Sequence, residues 1–436
     1  MLDPPSTGLC CGVMSNVRAF RATIAHCLAR GGLERFDDGL LLVENGKVAA
    51  LGPAADLLIG LGPDIPVEDL RDTLLLPGFI DCHVHYPQMD MVASYGAQLL
   101  DWLDRYAYPE EQRFADRQHA ESVAHRFAER LLANGTTTAL VFATVHPTSA
   151  DAMFAEARRR GMRLITGKVA MDRACPEPLR DTAERAYAES RELIERWHGV
   201  DRLGYALTPR FALTSSADQL AALGRLAAEF PDVHVHTHLA EHPDEVAAIE
   251  QQFPDCDNYL DVYARYGLLR ERSVFAHCLH LPDPDRERLA DSDAAAAFCP
   301  SSNLFLGSGL FDLAAARSAN LRVGIGSDVG GGPSLSLLRT LADGYRVLQL
   351  QGQSLPAAEA LRLATLDAAR ALHLDDRVGN FEPGKEADFT VFDATSPSPA
   401  GARMAHAKDF AEKLFALVML GDDRDVHSTW LMGEKA

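Results

Sequence analysis

The chain has 436 residues, enough for a barrel-sized domain with a smaller satellite. A hydrophobic share of 47% and a charged share of 24% are ordinary for a globular protein and exclude a wholly disordered chain. A formal net charge of −20 and the lack of any bilayer-length apolar run argue against nucleic-acid and membrane partners, and favour a small neutral ligand.

Residues 1–17, with Pro4, Pro5 and Gly8, are expected to form a disordered tail without a signal-peptide pattern. The eight cysteines contain no C-x-x-C pair and suit neither a disulfide framework nor a four-thiolate zinc site, so a cytoplasmic protein is expected. Between residues 18 and 76, the apolar runs Gly39–Val43 and Val48–Leu51 flank Glu44-Asn-Gly-Lys47, a strong hairpin signal. From residue 77 to 377 short apolar runs alternate with amphipathic segments. Eight of these runs read as strands: Phe79–His85, Thr137–Thr144, Arg163–Ala170, Leu203–Thr208, Val233–His238, Ser273–His277, Ala294–Cys299 and Arg322–Ser327. Eight strand–helix units over roughly 300 residues predict a (β/α)8 barrel. A doubly wound sheet is disfavoured because no G-x-G-x-x-G follows any of the strands. Residues 378–436 contribute two more strands, Ala387–Phe392 and Val426–Leu431. Neither end has strands enough for its own core, so both are expected to meet in one small β-sandwich domain. The fold class is therefore α/β.

The strand ends carry the chemistry. Strand one ends Asp81-Cys-His83-Val-His85, and alternation puts both imidazoles on one face. Strand five ends with His238, and Glu241 lies in the loop beyond it. His234 and His236 share the face of His238 but lie deeper, where hydrogen-bonded core histidines are expected; His242 reads as a solvated loop residue. His277 ends strand six, and Asp328 follows strand eight. A barrel places about 31 residues in each unit. His277 lies 39 residues and Asp328 90 residues after His238, close to one and three units. Strands one, five, six and eight thus deliver metal-ligand side chains to the carboxyl-terminal mouth, where barrel enzymes keep their active sites. Nitrogen and oxygen donors without thiolate suit Zn2+, with iron or manganese as lesser fits. Glu241, beside His238, is placed to shuttle protons.

Pro77-Gly-Phe-Ile-Asp-Cys-His-Val-His85, His238-Leu-Ala-Glu241, His277, Ser327-Asp328 and Val378-Gly-Asn-Phe-Glu-Pro-Gly-Lys-Glu-Ala-Asp388 resemble the amidohydrolase superfamily. Within it, Leu99-Leu-Asp-Trp-Leu103, Thr208-Pro-Arg-Phe-Ala212 and Leu420-Gly-Asp-Asp-Arg424 are similar to the guanine deaminases, which hydrolyse guanine to xanthine and ammonia with one zinc. The resemblance implies a homodimer with His83, His85, His238 and Asp328 as metal ligands. It implies that His277 either ligates the metal or holds the reacting water. Gln88, Arg210 and Phe211 match positions that hold the purine, and Trp102 could stack on it or belong to a helix core. In this reading Glu241, Asp328 and His277 are catalytic: Asp328 helps deprotonate the water, and Glu241 carries a proton to the ring nitrogen and then to the departing amine. Amidohydrolases acting on cytosine, adenosine-type or s-triazine substrates fit the same ligand set. A metal-free barrel kept for assembly would be expected to have lost those ligands. His280 and the divergent stretch Met89–Gln98 leave substrate width open.

Overall fold

The computed structural model describes residues 16–95 and 98–436; the predicted tail falls, up to residue 15, outside the described residues. Four strands come first: β1 (Val17–Cys27), β2 (Leu33–Glu44), β3 (Lys47–Pro53) and β4 (Val67–Pro77). Nine follow: β5 (Phe79–His85), β6 (Thr136–Phe142), β7 (Arg163–Gly167), β8 (Val169–Ala170), β9 (Leu203–Pro209), β10 (His234–Leu239), β11 (Ser273–His277), β12 (Ala295–Phe298) and β13 (Arg322–Ile325). The last three are β14 (Phe389–Asp393), β15 (Val426–Leu431) and β16 (Glu434–Lys435).

The strands from the two ends form one sheet in the order β16-β15-β14-β4-β1-β2-β3. The predicted hairpin is β2–β3. Its turn residues Asn45 and Gly46 both have positive φ, 51° and 79°, the mirror-turn geometry that matches strand twist. The expected sandwich core is enclosed by this single sheet. Bulges at Ala22, between Leu42 and Val43 and between Val391 and Phe392 bend it. Phe20, Leu41, Val48 and Leu75 from one end pack with Phe389 and Trp430 from the other.

All eight barrel strands predicted from the sequence are present, hydrogen-bonded in the order β5-β6-β7-β9-β10-β11-β12-β13. The third is interrupted at Lys168, after which β8 continues against β9. β5, β6 and β11 are buried at every residue, as parallel strands under helices must be. The seam between the last strand and the first is closed by Asp81. Its carboxylate accepts from the Ser327 hydroxyl at 2.5 Å and the Ser327 amide at 3.0 Å, while the Asp328 amide donates to the His83 carbonyl at 2.8 Å. Gly324 permits this approach, since a Cβ there would lie 2.3 Å from Cys82 Sγ. Among the described residues no helix is long and apolar enough to cross a membrane.

A largely buried ion cluster ties the satellite sheet to the barrel. Glu386 pairs with Arg163 and, at 2.6 Å, with Arg202, which also reaches Asp388. Burial opposes ionisation of Glu386, but the two guanidiniums outweigh it and hold its carboxyl below the ordinary value of 4.5. Replacing Glu386 by Gln strands the buried cation of Arg163 and leaves Arg202 to Asp388 alone, and is expected to cost about 3 kcal/mol. Because the folded-state value is depressed, this contribution is complete above about pH 4.5 and lost as pH falls below it. Thermal melts of the wild type and Glu386→Gln should therefore differ most near neutrality and converge in acid.

Candidate metal centre and active site

Each strand end delivers its side chain through local geometry. The two-residue period of β5 puts His83 and His85 on the same side, with their Nε2 atoms 3.2 Å apart. His238, near the end of β10, brings its Nε2 to 3.2 Å from that of His85. Asp328, just past β13, places Oδ1 3.1 Å from His83 Nε2 and 3.3 Å from His85 Nε2. The donor atoms of these four residues all lie within 4.8 Å of one another. Left-handed backbone at Ala240, His277, Cys278 and Asp328 turns the chain sharply at the barrel mouth. Such conformations cost about 1–3 kcal/mol each and concentrate at functional sites.

Supporting bonds fix the imidazoles. His238 Nδ1 lies 2.6 Å from the Arg210 carbonyl, which only accepts, so Nδ1 carries the proton and Nε2 turns a lone pair to the cluster. His83 Nδ1 meets His236 Nε2 at 2.7 Å, and His234 Nε2 donates to the Leu372 carbonyl at 2.9 Å. The two deeper histidines are thus hydrogen-bonded core residues, as read from the sequence, and His236 also holds a cluster member. Burial pushes His85 and His238 well below the usual imidazole value and lowers His83 too, which keeps the lone pairs available. Three nitrogens and one carboxylate oxygen, converging without a thiolate, fit a divalent cation such as zinc.

Glu241 sits beside this group. His277 Nε2 lies 3.3 Å from Glu241 Oε2 and 3.7 Å from Asp328 Oδ2, which places it outside the four-donor set but facing both carboxylates. His277 Nδ1 is 2.8 Å from Asn303 Oδ1. Ser308 Oγ donates to Glu241 Oε1 at 3.1 Å. The loop under Glu241 is held by Glu245, whose carboxylate accepts the amides of Glu241 and His242 at 3.0 and 3.2 Å and the Tyr259 hydroxyl at 2.7 Å. Burial, reinforced by Asp328 and Glu245 against the pull of His277, raises Glu241 to about 7. Asp328 behaves oppositely: burial would raise it, but His83 and His277 hold it well below the carboxylate range. His242, expected in solvent, caps the helix Pro243–Gln252.

Above the cluster opens a cavity lined among others by Gln88, Leu99, Trp102, Arg210, Phe211 and Glu241. All four residues predicted to hold a base therefore reach one wall or another. Trp102 is both cavity lining and core: its Nε1 donates to the Ser94 carbonyl at 3.2 Å, and it packs with Leu99, Leu103 and Phe211. The sequence reading missed Glu111, Glu245, Asn303 and Ser308. Glu111 belongs to a short helix between β5 and β6 with no periodic signal; it accepts Gln88 Nε2 at 2.8 Å and Arg210 Nη1 at 2.6 Å. Asn303 and Ser308 follow β12, and the one available clue was the run of small polar residues in Pro300–Ser308 at a strand's carboxyl end.

A profile described as the amidohydrolase family matches residues 74–436. The guanine deaminase of Escherichia coli (strain K12) is 49% identical over 401 residues, covering 92% of this chain and 91% of that protein. The solved E. coli guanine deaminase superposes with a TM-score of 0.94, covering 96% of this chain and 99% of that one at 47% identity. The structure of C. acetobutylicum guanine deaminase with guanine bound in its active site gives 0.89 at 26% identity, covering 96% of this chain and all of that one.

Proposed function

The chain belongs to the amidohydrolase family, and on that premise we propose that it hydrolyses guanine to xanthine and ammonia with a single zinc ion. The observation that carries this reading is the juxtaposition of the four-donor cluster, the buried Glu241 and a cavity lined by Arg210, Gln88 and Phe211. A relative of the same fold holds guanine in its active site.

His83, His85, His238 and Asp328 would hold the zinc. The chemistry such an ion supplies is a hydroxide nucleophile at neutral pH, through a water pKa lowered from about 15.7 toward about 7. The chain's own groups do the rest. Phe211 and the apolar wall take the base face, and Arg210 donates to a ring carbonyl. Asp328, held as an anion, accepts the proton lost by the attacking water. Glu241, near 7, delivers a proton to the ring nitrogen beside the amino-bearing carbon, making that carbon electrophilic. Glu241, now a carboxylate, takes the proton of the added hydroxyl as that oxygen becomes the carbonyl and passes it to the amine, which leaves as ammonia when the carbon–nitrogen bond breaks; the proton held by Asp328 then returns to Glu241. His277, bridging the two carboxylates, orients them.

Incubating zinc-loaded protein with guanine, adenine and cytosine, and following ultraviolet change and ammonia release, tests the reading. Guanine should be the base consumed. Deamination of adenine or cytosine with guanine untouched would replace this reading by another amidohydrolase activity.

A further inference from the structure

We propose that Glu111 is a positioning residue that sets the hydrogen-bond polarity of the base cavity, so that it takes a ring edge presenting an N–H donor beside a carbonyl; this deepens the guanine reading and rests on it. Glu111 is fully buried and is not itself part of the cavity lining, so it acts through its neighbours. A carboxylate only accepts hydrogen bonds, whereas the amide of Gln88 can present either end. Gln88 Nε2 lies 2.8 Å from Glu111 Oε1 and 3.4 Å from His85 Nδ1, and the nearer, anionic oxygen is the stronger acceptor that turns the amide nitrogen toward Glu111. The Gln88 carbonyl oxygen is thereby turned the other way, against Gly330, where a Cβ would come within 1.9 Å of it. The second carboxylate oxygen takes Arg210 Nη1 at 2.6 Å, and the guanidinium also lies over Tyr108, 5.2 Å from its ring centroid.

Gln88 and Arg210 both line the cavity, so a ligand meets an amide acceptor and the remaining guanidinium donors. The complement is a lactam edge, N–H next to C=O, as guanine carries. The corresponding edge of adenine is reversed, a bare ring nitrogen next to an amino group, and would leave buried groups unpaired. Pairing with Glu111 also cancels the charge of Arg210, so the cavity suits a neutral base rather than an anion.

Calorimetric titration of the zinc-loaded protein with hypoxanthine, which has the lactam edge but no amino group to lose, and with adenine measures this without turnover. The wild type should bind hypoxanthine at least about tenfold more tightly than adenine. Glu111→Gln should lower that ratio about tenfold and raise KM for guanine more than it lowers kcat, with bound zinc unchanged and a lower thermal midpoint, since Arg210 loses its buried partner. In a Gln88→Ala background the same substitution should move the ratio less than in the wild type, since only its hold on Arg210 is then lost. Should Glu111→Gln fail to fold, Gln88→Met removes the oriented amide and should lose the preference by itself. A wild type without the preference, or either single variant retaining it, overturns the assignment. Failure of the guanine reading is seen separately, as a wild type that binds hypoxanthine selectively but releases no ammonia from guanine.

Discussion

Glu241→Gln protein is expected to deaminate guanine about 10²–10⁴-fold more slowly than the wild type, with zinc content and KM little changed. The substitution is nearly isosteric. Ser308 Oγ can still donate to the side-chain oxygen it now meets at 3.1 Å, and Glu245 still holds the backbone amide at 3.0 Å, so the loop should keep its place. What disappears is the titrating proton. Burial raises the Glu241 carboxyl to about 7, near neutral pH, which suits a group that must give and regain a proton in one cycle. An amide can neither give that proton nor regain it. Steady-state kinetics with metal analysis on the same preparation distinguish the outcomes. Turnover within a few-fold of wild type at full zinc content would remove Glu241 from proton transfer and leave it an anchor for His277.

How far these groups could be read from the sequence depended on how each is placed. The barrel strands were legible because each is a short buried run between amphipathic helices, and two of the eight have the bounds expected, Phe79–His85 and Ser273–His277. The break at Lys168 was not legible, since it arises where a buried lysine turns to Asp181 and Glu189, a pairing between segments. His83, His85, His238 and Asp328 were legible because parallel strands of a closed barrel all end at one mouth, so spacing along the chain translates into proximity. The groups that orient them were not. Glu111 reaches Arg210 across 99 residues, and Ser308 reaches Glu241 across 67, from segments whose path no periodicity fixes. His236 is an intermediate case: its place on the inner face follows from strand alternation, but its bond to His83 spans the barrel interior and needed the structure.

Chelation of the wild type is expected to abolish turnover and lower the thermal midpoint by several degrees, both restored by one equivalent of zinc. In the stripped protein three imidazole lone pairs and a carboxylate would face each other across 3.1–3.3 Å with no cation between them. Burial keeps His85 and His238 from charging readily, so protonation is a poor substitute. A ligand bound at a thousand times its dissociation constant stabilises the fold by about 4 kcal/mol, and that is the scale of the loss. Asp328 supplies the only formal charge in the donor set, held as an anion by His83 and His277 against burial. In Asp328→Asn protein the gap between zinc-loaded and stripped midpoints should therefore shrink, while the stripped forms of variant and wild type should melt closer together than the loaded forms. Equal gaps in the two proteins would mean that Asp328 is not a ligand, and a wild type whose midpoint ignores chelation would mean that the four donors do not hold a metal at all.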